Sequence, residues 1–132
     1  MNPNKQTNYD LALRTAITQD VTADVNGKDS GGVDIVLNME NWKGQALMVN
    51  AQVLSIAATT VCDIYAESSD DITFATGVFS SEVININQTP ALTTPKAFGP
   101  AGFVPLGKYA RIRFDWTSGT LTDVTAWFST TG

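Results

Sequence analysis

Hydrophobic and polar residues alternate most cleanly near the end of the chain. In KYARIRFDW, Ala110, Ile112, Phe114 and Trp116 fall on one face, and Tyr109, Arg111, Arg113 and Asp115 on the other. After TSGT, the run LTDVTAWFS sets Val124, Ala126 and Phe128 against Asp123, Thr125 and Trp127. A strand with one buried face requires this period of two, because successive side chains point to opposite sides of the backbone. Two such runs around a Ser-Gly turn predict an antiparallel hairpin, with Trp116 in the core.

Earlier segments repeat the pattern. Residues 1–9 are polar and contain Pro3, which predicts a flexible arm ahead of a single domain over residues 10–132. In DLALRTAIT, Leu11, Leu13, Thr15 and Ile17 share one side; a short helix competes there with a strand, since Leu, Ala and Arg are good helix formers. NGKDSGG (26–32) reads as a loop, and VDIVLNM (33–39) as a half-buried strand with Val33, Ile35, Leu37 and Met39 on one face. After the turn ENWKGQ, the run ALMVNAQVLSI points Leu47, Val49, Ala51 and Val53 inward, and Met48, Asn50 and Gln52 outward. VCDIYAE places Cys62, Ile64 and Ala66 inside, and Asp63, Tyr65 and Glu67 outside. The acidic loop SSDDITFATG (68–77) is anchored by Ile72 and Phe74, and EVININ (82–87) alternates strictly. Residues 88–107 carry four of the five prolines, so loop with short edge pieces is expected. Seven or eight short strands and no βαβ unit predict an all-β fold, a β-sandwich of jelly-roll or Greek-key type.

Composition narrows the function. Charged residues make up 16%, below the usual share of about a quarter. Thr and Asn fill the deficit, and Thr suits the solvent face of a strand through its branched Cβ. The net charge of −5 argues against nucleic acid as a partner, since that affinity depends on neutralising phosphates. The one basic stretch, Lys108, Arg111 and Arg113, reads as the solvated face of a strand. Cys62 is the only cysteine, so no intrachain disulfide can form, and its spacing marks it as a small buried hydrophobe. The polar start carries no signal-peptide pattern, and no apolar run approaches the roughly 20 residues of a membrane helix, so no membrane partner is expected.

Candidate chemistry is sparse. There is no histidine, which removes the commonest general base and the Ser-His and Cys-His schemes. Asp63, Glu67, Asp70 and Asp71 could in principle serve a carboxylate hydrolase or hold Ca²⁺, but they read as solvated charges, and neither DSGGVD nor SSDDIT has the spacing of an EF-hand loop. No glycine pattern forms a phosphate cradle. The reading is therefore of a non-enzymatic protein with no cofactor. The functional handles are aromatic and apolar groups at outward, turn or arm positions: Tyr9, Leu11, Leu13, Trp42, Met48, Tyr65 and Trp127.

The order of features resembles the small jelly-roll cement, or head decoration, proteins of tailed bacteriophage capsids. The resemblance runs from an Ala16-Ile17-Thr18 strand after a polar arm, through GVDIVL, ALMVNAQV and DIYAESSDDITFATG. It ends at VPLGKYARIRFDW, a Pro-x-Gly-x-Tyr-x-Arg element before the last strand pair. QTPALTTPKAFGPAGF is longer and richer in proline than the family's connection. The resemblance implies a virion structural protein on the capsid exterior, assembled in the host cytoplasm. It would bind the major capsid protein lattice and reinforce it, commonly as a trimer. The competing expectations are a carbohydrate-binding sandwich on a fibre or spike, with Trp42, Tyr65 and Trp127 as its stacking platform, and another head or tail component.

Overall fold

The computed structural model describes residues 13–130. The nine strands among them are β1 (Arg14–Val21), β2 (Val25–Asn26), β3 (Leu37–Asn38), β4 (Leu47–Ile56), β5 (Thr60–Ser69), β6 (Phe79–Gln88), β7 (Lys96–Phe103), β8 (Tyr109–Ser118) and β9 (Leu121–Thr130). They form two antiparallel sheets, ordered β1-β9-β4-β7 and β2-β8-β5-β6, with β3 also pairing to β8. The fold is a β-sandwich, as the alternation predicts. The predicted arm (residues 1–9, with Tyr9) and Leu11 after it lie outside the described residues.

The inward faces come from the predicted registers. Leu47, Val49, Ala51 and Val53 of β4, with Val124, Ala126 and Phe128 of β9, face Cys62, Ile64 and Ala66 of β5 and Ala110, Ile112 and Phe114 of β8 across one apolar core. Phe103 and Phe128 stack within it, ring centroids 5.5 Å apart. Burying a Phe or Leu side chain contributes roughly 1.5–3 kcal/mol, so this shared interior is the main stabilising term.

The C-terminal strand pair is not a hairpin. β8 lies in one sheet, against β5, and β9 in the other, between β1 and β4. Alternation reports that a strand has a buried face; it does not tell a ladder neighbour from a strand facing it across the core. The corner between them is pinned at Gly119, whose carbonyl accepts the Trp116 indole N–H at 2.8 Å. Thr120 N donates to the Thr60 hydroxyl at 3.1 Å beside it. Trp116 therefore ends half-buried at the corner, packed against the core rather than inside it.

Three other expectations change. Residues 11–17 carry no helix from Arg14 onward: β1 runs as a strand, and its pairing to β9 is interrupted around Thr18, whose φ is +47°. The irregular backbone lets Thr15 and Ala16 both be buried while Ile17 is only half-buried, so simple alternation fails there. The strand predicted over 33–39 shrinks to Leu37–Asn38, and Val33 is 63% exposed. The cause is local: the Asp29 carboxylate accepts Gly31 N at 2.9 Å and Val33 N at 3.0 Å, and Lys28 pairs with Asp34, closing a turn. Lastly, the proline-rich stretch contains a true edge strand, β7, whose register shifts opposite Val49 and Ala51, where Gly99 sits at φ +91°.

Gly119 is a position where only glycine fits. Its φ is +84°, and a Cβ there would lie 2.1 Å from the Thr60 hydroxyl oxygen and 2.6 Å from Thr60 Cα. Gly119→Ala is expected to cost about 2–4 kcal/mol, from left-handed strain plus overpacking. Urea unfolding would show this as a lowered midpoint with an unchanged slope.

Candidate interaction surface

The outer face of the second sheet carries a buried ion cluster. Arg111 and Arg113 lie two residues apart on β8, so both project to the outer side, and Glu67 of β5 pairs in register with Arg111. Arg111 Nε donates to Glu67 Oε1 at 2.9 Å and Arg113 Nε to Oε2 at 2.9 Å; the Ser80 hydroxyl on β6 adds a 2.6 Å bond to Oε2. Glu67 is only 4% exposed, although alternation correctly puts it on the outer face.

The β5–β6 connection accounts for that burial. Its Phe74, at φ +55° and 7% exposed, lays its ring 4.2 Å from the Arg111 guanidinium carbon. On the other side, the Arg113 guanidinium carbon stands 4.6 Å from the Tyr65 ring. Burial by itself would raise the Glu67 carboxyl. The hydrogen bonds from Ser80, Arg113 and Arg111 outweigh it and hold the group below the usual carboxylate range. The two arginines of the basic stretch, read as a solvated strand face, thus share one buried carboxylate instead of standing free in solvent.

The acidic loop is tied to its own backbone. Asp71 accepts Thr73 N at 2.9 Å, the Thr73 hydroxyl at 2.7 Å and Ala75 N at 3.2 Å. Asp70 accepts Lys108 N at 2.9 Å and pairs with Lys43 at 3.4 Å. No group of three or more His, Cys, Asp or Glu side chains among the described residues could hold a metal ion. Cys62 is fully buried, and burial, reinforced by Asp63, Asp115 and Asp24, pushes its thiol up to about 12.

The predicted interface residues are dispersed. Leu13 is 9% exposed and belongs to the core cluster. Trp42 ends a short 3-10 turn, Glu40–Trp42, and packs half-buried against the core. Met48 on β4 and Trp127 on β9 are half-buried on the outer face of the first sheet. Tyr65 lies on the outer face of the second sheet, its hydroxyl 3.4 Å from Glu82. Trp42, Tyr65 and Trp127 therefore occupy three different sides and make no common stacking platform.

A different apolar group gathers at one end of the sandwich. Ser68, near the end of β5, pairs with Phe79, and its hydroxyl accepts Leu106 N at 3.0 Å. Gly44 N donates to Pro105 O at 2.8 Å, bringing the 40–45 turn to the same end. On these joined segments Ile72 is 57% exposed, Phe79 49%, Leu106 48% and Val104 42%. Ile72, expected to anchor its loop, instead points to solvent, and Phe74 alone is the anchor. The sequence signal was present in VPLG and GVF, apolar residues inside turn-forming segments, where local packing offers little cover.

Comparison of the chain with family models, with curated proteins and with solved structures yields no match.

Replacing Glu67 would leave two half-buried arginines without the carboxylate they share. Glu67→Gln is expected to lose about 2–3 kcal/mol at neutral pH, less than a fully buried pair because both arginines keep some solvent contact. Because the folded-state value lies below the unfolded one, the carboxylate's contribution is complete above its ordinary pKa and lost as pH falls through the folded one. The stability gap between wild type and Glu67→Gln should therefore narrow as pH drops from about 5 toward 3, as followed by chemical unfolding at each pH.

Proposed function

We propose that this chain is a capsid cement subunit: a non-enzymatic protein that binds the assembled shell of the major capsid protein of a tailed phage and stabilises it. The nested strand pairing supports the jelly-roll form of that reading. With the two-residue β3 set aside, β1 pairs with β9, β2 with β8, β4 with β7 and β5 with β6, which is one long hairpin wound over on itself.

The observation that carries the proposal is the loop end. Several large apolar side chains stay in solvent on segments that hydrogen bonds and the β5 ladder hold together. Exposed apolar groups gathered this way mark protein contacts. Around them, Asp70 and Asp71 are already paired to backbone and Lys43, so docking would not strand a carboxylate without partners. Ligands that bind only an assembled lattice stabilise it by mass action, and repeated weak contacts across the lattice add avidity.

The test is pelleting with expanded shells of a tailed-phage major capsid protein. Wild type should co-sediment to saturation. Leu106→Asp should weaken binding at least about tenfold, the loss expected for an apolar contact at an interface centre, with circular dichroism unchanged. Protein that stays in the supernatant at every concentration would remove the proposal.

A further inference from the structure

The four sheet edges are not treated alike. β1 has an irregular register around Thr18, and its Ile17 N donates to Lys28 O at 2.9 Å. β7 carries Lys96, a register shift and Pro100. The β2 and β3 segments, end to end along β8, are two residues each. Short strands, prolines, lysines and bulges are the devices that keep an edge from pairing with another chain. β6 is the exception. It runs ten residues, ends its sheet, and holds no proline, lysine or arginine; Glu82 is its one charge. Residues 79–82 are exposed.

A register shift in β6 says which partner fits. Tyr65 pairs with Glu82 and Ile64 with Ile84, which makes Val83 an extra residue. Outer-face positions are therefore Ser80 and Glu82 before it, then Asn85 and Asn87 after it, opposite Glu67, Tyr65, Asp63 and Val61. Val83 and Ile84 both pack toward the core. The face pattern is thus symmetric about the Val83–Ile84 bond. A second β6 laid antiparallel, with Val83 opposite its Ile84, matches outer with outer and inner with inner along all ten residues. A slip by one residue would oppose mismatched faces.

Charge agrees with the same register. Each Glu82 faces the Asn85 of the other copy, each Ser80 the Asn87, and no two like charges meet. An acidic strand in that place would set a carboxylate against Glu82.

We propose that two copies of this chain pair through β6, antiparallel across a two-fold axis centred between Val83 and Ile84, joining their second sheets into one. The contact is isologous and closes on itself, so it gives a dimer and no further growth. It does not depend on the capsid-binding proposal, and it departs from the trimer that the family resemblance implies.

Sedimentation equilibrium of the full chain over rising concentration tests it. Wild type should pass from monomer to twice the monomer mass. Ser81→Lys, an inward-pointing edge charge at an exposed position, should weaken self-association at least about tenfold. Mild oxidation of a Glu82→Cys, Asn85→Cys double variant should give an intermolecular disulfide dimer, and Glu82→Cys alone should not; buried Cys62 does not compete. A constant monomer mass, a trimeric mass, self-association unchanged by Ser81→Lys, or equal cross-linking of single and double variants would each overturn the proposal.

Discussion

The winding of this fold turns on one hairpin. Among the described strands, β5 and β6 are the only consecutive pair joined to each other; every other ladder closes between strands distant in the chain. Thr18 N reaches the Thr125 hydroxyl, for example, across most of the sequence. Nothing local fixes such a pairing. It holds because every strand has one apolar face, and those faces can be hidden together only if two sheets meet. The core is therefore less a product of the ladders than their cause. Loop-closure entropy for the outermost pair, β1 with β9, must be offset by inner pairs already in place. The β5–β6 hairpin has the shortest loop to close, so it needs least of that help.

The same hairpin organises the outer surface. Its connecting loop brings Phe74 over Arg111, and its second strand supplies the Ser80 hydroxyl to Glu67. Two arginines that would otherwise make a basic stripe are instead closed over a single carboxylate. The remaining outer positions mix Ser80, Asn85 and Asn87 with the carboxylates Asp63, Glu82 and Asp115, Asp63 lying opposite Asp115. Covering that part of the face would take full charges out of water, which is costly without a cationic partner.

How much of this was legible in the sequence depends on the range of the interaction. Period-two alternation located the inward residues of β4, β5, β8 and β9, since that pattern is local. It failed at Thr18, where an irregular backbone resets the faces, and at Val33, where the Asp29 carboxylate closes a turn instead of letting the strand extend. Strand neighbours were beyond it: the β8–β9 corner has the sequence of a hairpin turn, yet the two strands part into different sheets. Glu67 shows the limit most clearly. Its face was read correctly and its burial was not, because the cover comes from a loop whose path is set by Ser69 accepting Asp71 N and donating to Thr76 O. The aromatic positions chosen as interface candidates followed residue type. The exposed apolar group at the loop end followed from tertiary placement, which residue type does not encode.

These two surfaces are physically continuous. Phe79 is the first residue of β6 and also one of the exposed side chains at the loop end. Pairing β6 with a second copy would set Phe79 of each opposite Gln88 of the other, at the two ends of a shared strand pair. The two loop ends would then lie on opposite sides of the two-fold axis, and the stretch at Val104 and Leu106 would stay clear of the strand contact. A dimer built this way presents two apolar ends at a spacing fixed by a rigid sheet. Because the paired strands run antiparallel, the two loop ends point in opposite directions, so one copy's end would meet a shell while the other's faces away from it. Under the two proposals edge and loop end would serve different partners while sharing one hairpin, and a change that loosens β5 from β6 would weaken both.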